Sequence, residues 1–212
     1  MGIRAVIFDM DGVLVDSEPF GFEALRRVMA RYGRGYSEEE NAEFLGRTTI
    51  ESCRILKARH ALPDSVDRLA ELYLEAMLEQ IGRGPIPMPG VPSVLERVRG
   101  AGYRLALASS AELRVIHANL AALALGPLFE VVVSGTQVGR GKPAPDVFVA
   151  AAERLAVAPE GCLVVEDSRN GLLAAKAAGM LCAVVPCAHT RHQDFREADH
   201  HLRALPDLLA LL

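Results

Sequence analysis

The chain has 212 residues, half of them hydrophobic and 24% charged, with a formal net charge of −4. That balance argues against nonspecific nucleic-acid binding, which needs a basic face, although local basic groups could still receive a small anion. The lack of Trp, with only 5% aromatic residues, speaks against a base-stacking platform. No apolar run approaches the roughly 18 residues needed to cross a bilayer, and the N-terminus carries no signal-peptide pattern. A soluble, cytoplasmic protein without membrane or nucleic-acid partners is therefore expected.

In chain order, the first element is a buried strand predicted over 3–8, an apolar and partly branched run. It ends at Asp9, with Met10, Asp11 and Gly12 following. Residues two apart in an extended segment point the same way, so Asp9 and Asp11 can share one site. In an open α/β sheet that carboxyl edge is where ligands bind. Paired acids there suit a nucleophile with an acid/base partner, or metal ligands; an ordinary Asp-Gly turn is the alternative.

From about 17 to 87 no strand pattern emerges. Phe22, Leu25, Met29 and Tyr32 recur at helical spacing, as do Val66, Leu69, Tyr73 and Met77. A helical insertion is predicted, leaving the core near Val15 and Asp16 and returning through the Gly- and Pro-rich stretch 82–90. Two closely placed connections would let it move as a lid. The expected domains are a core of 1–16 plus 88–212 and a cap of 17–87.

Beyond the insertion, strands are predicted over 103–108, 130–134, 162–166 and 181–185, with helices over 92–99, 111–124, 146–156 and 170–178. This alternation implies a mostly parallel sheet with helices on both faces, a Rossmann-like α/β fold. Pro92 and Pro145 fit first-turn helix positions, and Gly179 suits a helix stop. A last short strand and helix are expected within 200–212.

Three strand-end features join the first pair of acids. Ser109 and Ser110 offer hydroxyls and helix N-terminal N–H groups to an anion, although Ser is also an ordinary helix cap. Lys142 sits beside Pro143 and Pro145, which stiffen its loop and could fix its charge for a phosphoryl oxygen. Glu166 and Asp167 end the strand 162–166. Gathering four carboxylates is unfavourable, since two charges 4 Å apart repel by about 4 kcal/mol at an effective dielectric of 20. A bound dication would relieve this, and oxygen-only ligands favour a hard ion, Mg²⁺. Cys53, Cys162, Cys182 and Cys187 form no C-x-x-C pair, so buried inert thiols are expected. His189, Arg191, His192, His200 and His201 read as a polar surface region, not a ligand cluster.

Together these motifs, in this order, resemble the haloacid dehalogenase superfamily of phosphohydrolases, and within it the β-phosphoglucomutase and phosphoglycolate-phosphatase branch with a helical cap. The resemblance implies Asp9 as nucleophile, forming an aspartyl-phosphate, and Asp11 as general acid and base. It implies Mg²⁺ held by the Asp9 carboxylate, the Asp11 backbone carbonyl and Asp167, with Glu166 close by or linked through water. Ser109, Lys142 and backbone N–H groups near Met10, Asp11 and Ser110 would bind the phosphoryl oxygens. In the cap, Glu18, Arg47, Thr48 and Thr49 are the candidate substrate residues. Many sugar-phosphate members carry a His where this chain has Phe20-Gly21, and the Arg that mutases use for a distal phosphate falls at Thr49. These departures favour a phosphatase acting on a small phosphorylated metabolite. A phosphosugar mutase and a non-enzymatic phospholigand-binding paralogue are the alternatives. A monomer is expected, a dimer being the other possibility.

Overall fold

The structure, a computed structural model, describes residues 2–44 and 48–212. The chain divides into two compact units, Ser17–Pro85 and the remainder, Met1–Asp16 with Ile86–Leu212.

The Ser17–Pro85 unit is helical: α1 (Glu18–Arg31), α2 (Glu38–Ala42), α3 (Thr49–His60) and α4 (Val66–Ile81). Ser37, Thr48 and Ser65 start α2, α3 and α4, each hydroxyl accepting from the backbone N–H three residues on, at 3.2, 3.2 and 3.1 Å. Such caps satisfy N–H groups that a helix's own ladder leaves unpaired. Leu25, Val28 and Met29 of α1 pack with Leu69 and Leu72 of α4 around Tyr36, Phe44, Cys53 and Leu56. The predicted stripes are therefore core-facing, except that α1 stops one residue short of Tyr32, whose hydroxyl instead donates to Asp64 Oδ2 at 2.6 Å.

Among the described residues the larger unit holds six strands: β1 (Ala5–Phe8), β2 (Arg104–Ser109), β3 (Val131–Ser134), β4 (Cys162–Glu166), β5 (Leu181–Val184) and β6 (His200–His201). They form one parallel sheet in the order β3-β2-β1-β4-β5-β6. Its helices are α5 (Val91–Gly100), α6 (Leu113–Ala122), α7 (Asp146–Arg154) and α8 (Arg169–Ala177). On one sheet face Ala5, Ile7, Ala106, Ala108 and Val164 pack with Phe148 of α7 and Leu172 of α8. The alternate residues Val6, Phe8, Leu105, Leu107, Leu163 and Val165 are equally buried. Burial on both faces explains why these strands read as unbroken apolar runs.

Pro92 lies in the first turn of α5, whereas Pro145 caps α7 one residue earlier than expected. Gly179, at φ +73°, follows the α8 cap residue Ala178, where the left-handed backbone favours Gly. The final segment, Leu205–Ala210, is 3₁₀ and not α-helical. Among the described residues, no helix is long and apolar enough to cross a membrane.

Candidate active site

Phe8 is in register with Leu107 of β2 and Val165 of β4. The carboxyl ends of three adjacent strands therefore lie side by side, and the residues just beyond converge. Asp9 N–H donates to the Val165 carbonyl at 3.0 Å, fixing the exit from β1. Asp9, Glu166 and Asp167 are buried, and each offers an oxygen within 4.8 Å of the others. Lys142 enters from the loop before α7. Its Nζ donates to Asp9 Oδ1 at 2.6 Å, Glu166 Oε1 at 2.7 Å and the Ala108 carbonyl at 3.3 Å. The ammonium also lies 4.7 Å from the centre of the Phe148 ring.

Glu166 is committed on its other side as well. Its Oε2 accepts from Asp167 N–H, Ser168 N–H and the Ser168 hydroxyl, all at 2.9 Å. The carboxylate thus folds over the N-terminus of α8, where aligned N–H dipoles favour negative charge. Gly171 makes this possible, because a Cβ there would overlap the Glu166 carboxyl group. Gly12, at φ +76°, likewise lies against Asp167 Oδ2 with no room for a Cβ. Gly171→Ala is expected to destabilise the fold by about 1–3 kcal/mol through overpacking, read as a lowered melting midpoint. An unchanged midpoint would mean that Glu166 is free to move aside.

Burial pushes Asp9 well above the ordinary carboxylate range; Lys142 opposes this, while Glu166, Asp11 and Asp167 add to it. Burial and then Glu166 raise Asp167 to about 7. Burial alone would lower Lys142, but the charges and hydrogen bonds of Asp9 and Glu166 hold it above its usual value. Lys142 is shared between two acids, whereas Asp9 faces Glu166, Asp11 and Asp167 besides its own burial, and the net direction for Asp9 is upward. Asp167 has an unfolded pKa of about 3.9, so across roughly pH 4 to 7 the folded state holds the extra proton. Its contribution to stability is thus fullest below pH 4 and declines as pH rises to about 7. Melting midpoints measured in chelator across that window should fall more for the parent chain than for Asp167→Asn. Parallel curves would refute the shift.

The other sequence-predicted residues are placed as follows. The strand ends at Phe8, and residues 10–15 turn back, Leu14 and Val15 N–H both donating to the Met10 carbonyl at 2.8 and 3.0 Å. Extended-strand alternation therefore does not carry Asp11 to the site, although its charge acts on both Asp9 and Asp167. Met10 is buried. Ser109 is buried at the end of β2, its Oγ accepting from Ala111 N–H at 3.1 Å, while Ser110 is exposed. α6 itself starts later, at Leu113, so Ser109 closes a tight turn and does not cap the helix. In the helical unit, Glu18 opens α1, Thr48 caps α3 and Thr49 opens it. Arg47 lies outside the described residues.

Of the cysteines, Cys53, Cys162 and Cys182 are buried, as expected. The polar region after β5 exposes His189 and His192 on a surface loop, as expected, whereas His200 and His201 form the edge strand β6, paired with Ala183 and Val184 of β5. The same loop also brings Cys187 Sγ and Thr190 Oγ1 to Asp167 Oδ2, each at 3.2 Å. No sequence signal marked either residue, since a lone Cys and a lone Thr have neither periodicity nor spacing.

The haloacid dehalogenase-like hydrolase family profile matches residues 6–185. The phosphorylated carbohydrates phosphatase of Thermotoga maritima is 40% identical over 178 residues, covering 84% of this chain and 82% of that protein. Protein CbbY of Rhodobacter capsulatus is 36% identical over 220 residues, covering 99% and 96%. The crystal structure of CbbY from Rhodobacter sphaeroides in complex with phosphate superposes with a TM-score of 0.89 at 31% identity, covering 97% and 96% of the two chains. The matched segment spans the whole acid and lysine cluster, and the chain belongs to the haloacid dehalogenase-like hydrolases.

Proposed function

We propose that this enzyme is a Mg²⁺-dependent phosphatase that hydrolyses a small phosphorylated metabolite, a sugar phosphate or similar, through an aspartyl-phosphate. The observation that carries this is the buried cluster of Asp9, Glu166 and Asp167 around Lys142 at the carboxyl edge of a parallel sheet. The name of the Thermotoga maritima relative supports the phosphorylated-carbohydrate class, and the phosphate complex of CbbY supports an anion site.

Asp9 attacks phosphorus, the ester P–O bond breaks, and Asp11 gives its proton to the leaving alkoxide. Asp11 then takes a proton from the water that attacks the aspartyl-phosphate, which frees phosphate and restores Asp9. Lys142 holds Asp9 through Oδ1 and places a positive charge beside the reaction. With Ser109, Ser110 and the backbone N–H groups of Met10 and Asp11, it receives the phosphoryl oxygens. Position and charge supply most of the acceleration in such a transfer.

The donor set fits a hard dication: oxygens only, buried, with Asp9 and Asp167 raised by burial and by neighbouring acids. Asp9, Asp167 and the Asp11 carbonyl would hold it, with Glu166 as the neighbouring acid. When bound, Mg²⁺ supplies charge neutralisation to the phosphoryl group. The Ser17–Pro85 unit is proposed as the cap that selects substrate, with Glu18, Thr48 and Thr49 as its contacts.

A panel of sugar phosphates, phosphoglycolate and nucleotide monophosphates tests this, with free phosphate and sugar-phosphate isomers measured together. Mg²⁺-dependent phosphate release is expected; isomer formation without release would make the enzyme a mutase. Asp11→Asn should slow hydrolysis about 10²–10⁴-fold, the usual contribution of a placed acid or base. Unaltered rates would mean that Asp11 has another role.

A further inference from the structure

We propose that Thr190, assisted by Cys187, is a positioning residue that fixes the Asp167 carboxylate for metal binding; this rests on the Mg²⁺ reading above. Both side chains reach Asp167 Oδ2 at 3.2 Å, from the loop that follows β5. The Thr190 hydroxyl accepts from Cys187 N–H at 3.1 Å, which occupies a lone pair and leaves its proton for an acceptor. Asp167 Oδ2 is one such acceptor; Cys187 Sγ, at 3.4 Å, is a longer and weaker one.

The loop is built to hold this geometry. Thr190 and Arg191 N–H both donate to the Cys187 carbonyl, at 3.2 and 3.1 Å, closing a tight turn. Gln193 N–H donates to the Thr190 carbonyl at 2.8 Å, and its side-chain oxygen accepts from Arg169 N–H at 2.7 Å. Arg169 Nη1 donates to the Asp194 carbonyl at 2.7 Å. Arg169 begins α8 two residues beyond Asp167, so the loop and the carboxylate share one anchor. The missing side chain of Gly12 also leaves the space that Asp167 Oδ2 fills. Asp167 Oδ2 is thus packed against a glycine and held by two donors. Partners that orient a ligating carboxylate typically change metal affinity 10–100-fold when removed.

The test is Mn²⁺ binding to the metal-stripped full chain, followed by electron paramagnetic resonance of the free ion, with melting midpoints taken in chelator. Asp167→Asn serves as the site control. Thr190→Val is expected to weaken Mn²⁺ binding about tenfold with only a small fall in midpoint from the orphaned Cys187 N–H, and Thr190→Ser, which keeps the hydroxyl, to restore the binding. Cys187→Ala should weaken binding by a smaller factor, a thiol being the poorer donor. Wild-type affinity in Thr190→Val, or equal weakening in Thr190→Ser, would overturn the inference. If Thr190→Val does not fold, Cys187→Ala decides: weaker binding upholds the inference and wild-type binding overturns it. A parent chain that takes up no Mn²⁺, or an Asp167→Asn variant that binds it as well as the parent, overturns the metal reading itself. Those two results are seen before any loop substitution is made.

Discussion

Asp9→Asn is expected to abolish turnover, by about 10⁴-fold or more, while the chain folds as before. An amide cannot form the acyl phosphate that the carboxylate would form. The structural consequences are mild, because the Asn oxygen can still accept from Lys142 Nζ at the Oδ1 position, now 2.6 Å away. Burial and the charges of Glu166, Asp11 and Asp167 all oppose ionisation at this position. The metal-free variant should therefore melt at or above the parent's midpoint. The measurement is phosphate release from whichever ester the parent cleaves, paired with intact-protein mass after a brief exposure to that ester. Near-normal release, or a phosphoryl increment still present on the variant, would sink the nucleophile assignment.

Lys142→Met should act on stability as strongly as on rate. The Lys142 side chain is 6% exposed and bonded to two acids that are themselves buried, so its removal strands both charges. Breaking a buried pair from one side typically costs about 3–5 kcal/mol, even where replacing the whole pair is neutral. For a chain of this size that is a fall of roughly 6–20 °C in melting midpoint. Adding Glu166→Gln should recover part of the lost stability without recovering turnover, which separates the structural from the chemical share. A midpoint equal to the parent's would mean that the two acids find other partners or protonate without penalty.

The sheet was legible because its strands are buried on both faces and stop at polar residues. Runs such as Cys162 to Val165 followed by Glu166 and Asp167 announce both an element and its functional end. The helical unit was legible where a stripe repeats, as in α1 and α4. It was illegible in α3, where only Ser52, Cys53 and Leu56 are buried and no stripe forms. Asp11 followed a rule for extended chain, but the backbone had already turned at Met10. Gly12 and Gly171 were visible only as turn and helix glycines, because the carboxylates filling their missing side-chain space arrive from β4. Cys187 and Thr190 meet Asp167 across 20 and 23 residues of chain, a contact that the β4–β5 pairing creates and no local pattern encodes.

The central place of β1 bears on how the protein is made. The strand that leads into Asp9 precedes both its neighbours in the chain, β2 and β4, which begin at Arg104 and Cys162. On a ribosome it must wait, apolar and unpaired, for about a hundred residues before its first partner emerges and some sixty more before its second. The Ser17–Pro85 helices need no distant partner and can form during that interval. The nascent chain is thus expected to carry a folded helical unit next to a strand that is still unpaired and aggregation-prone. Its need for chaperones should end once β4 has cleared the exit tunnel.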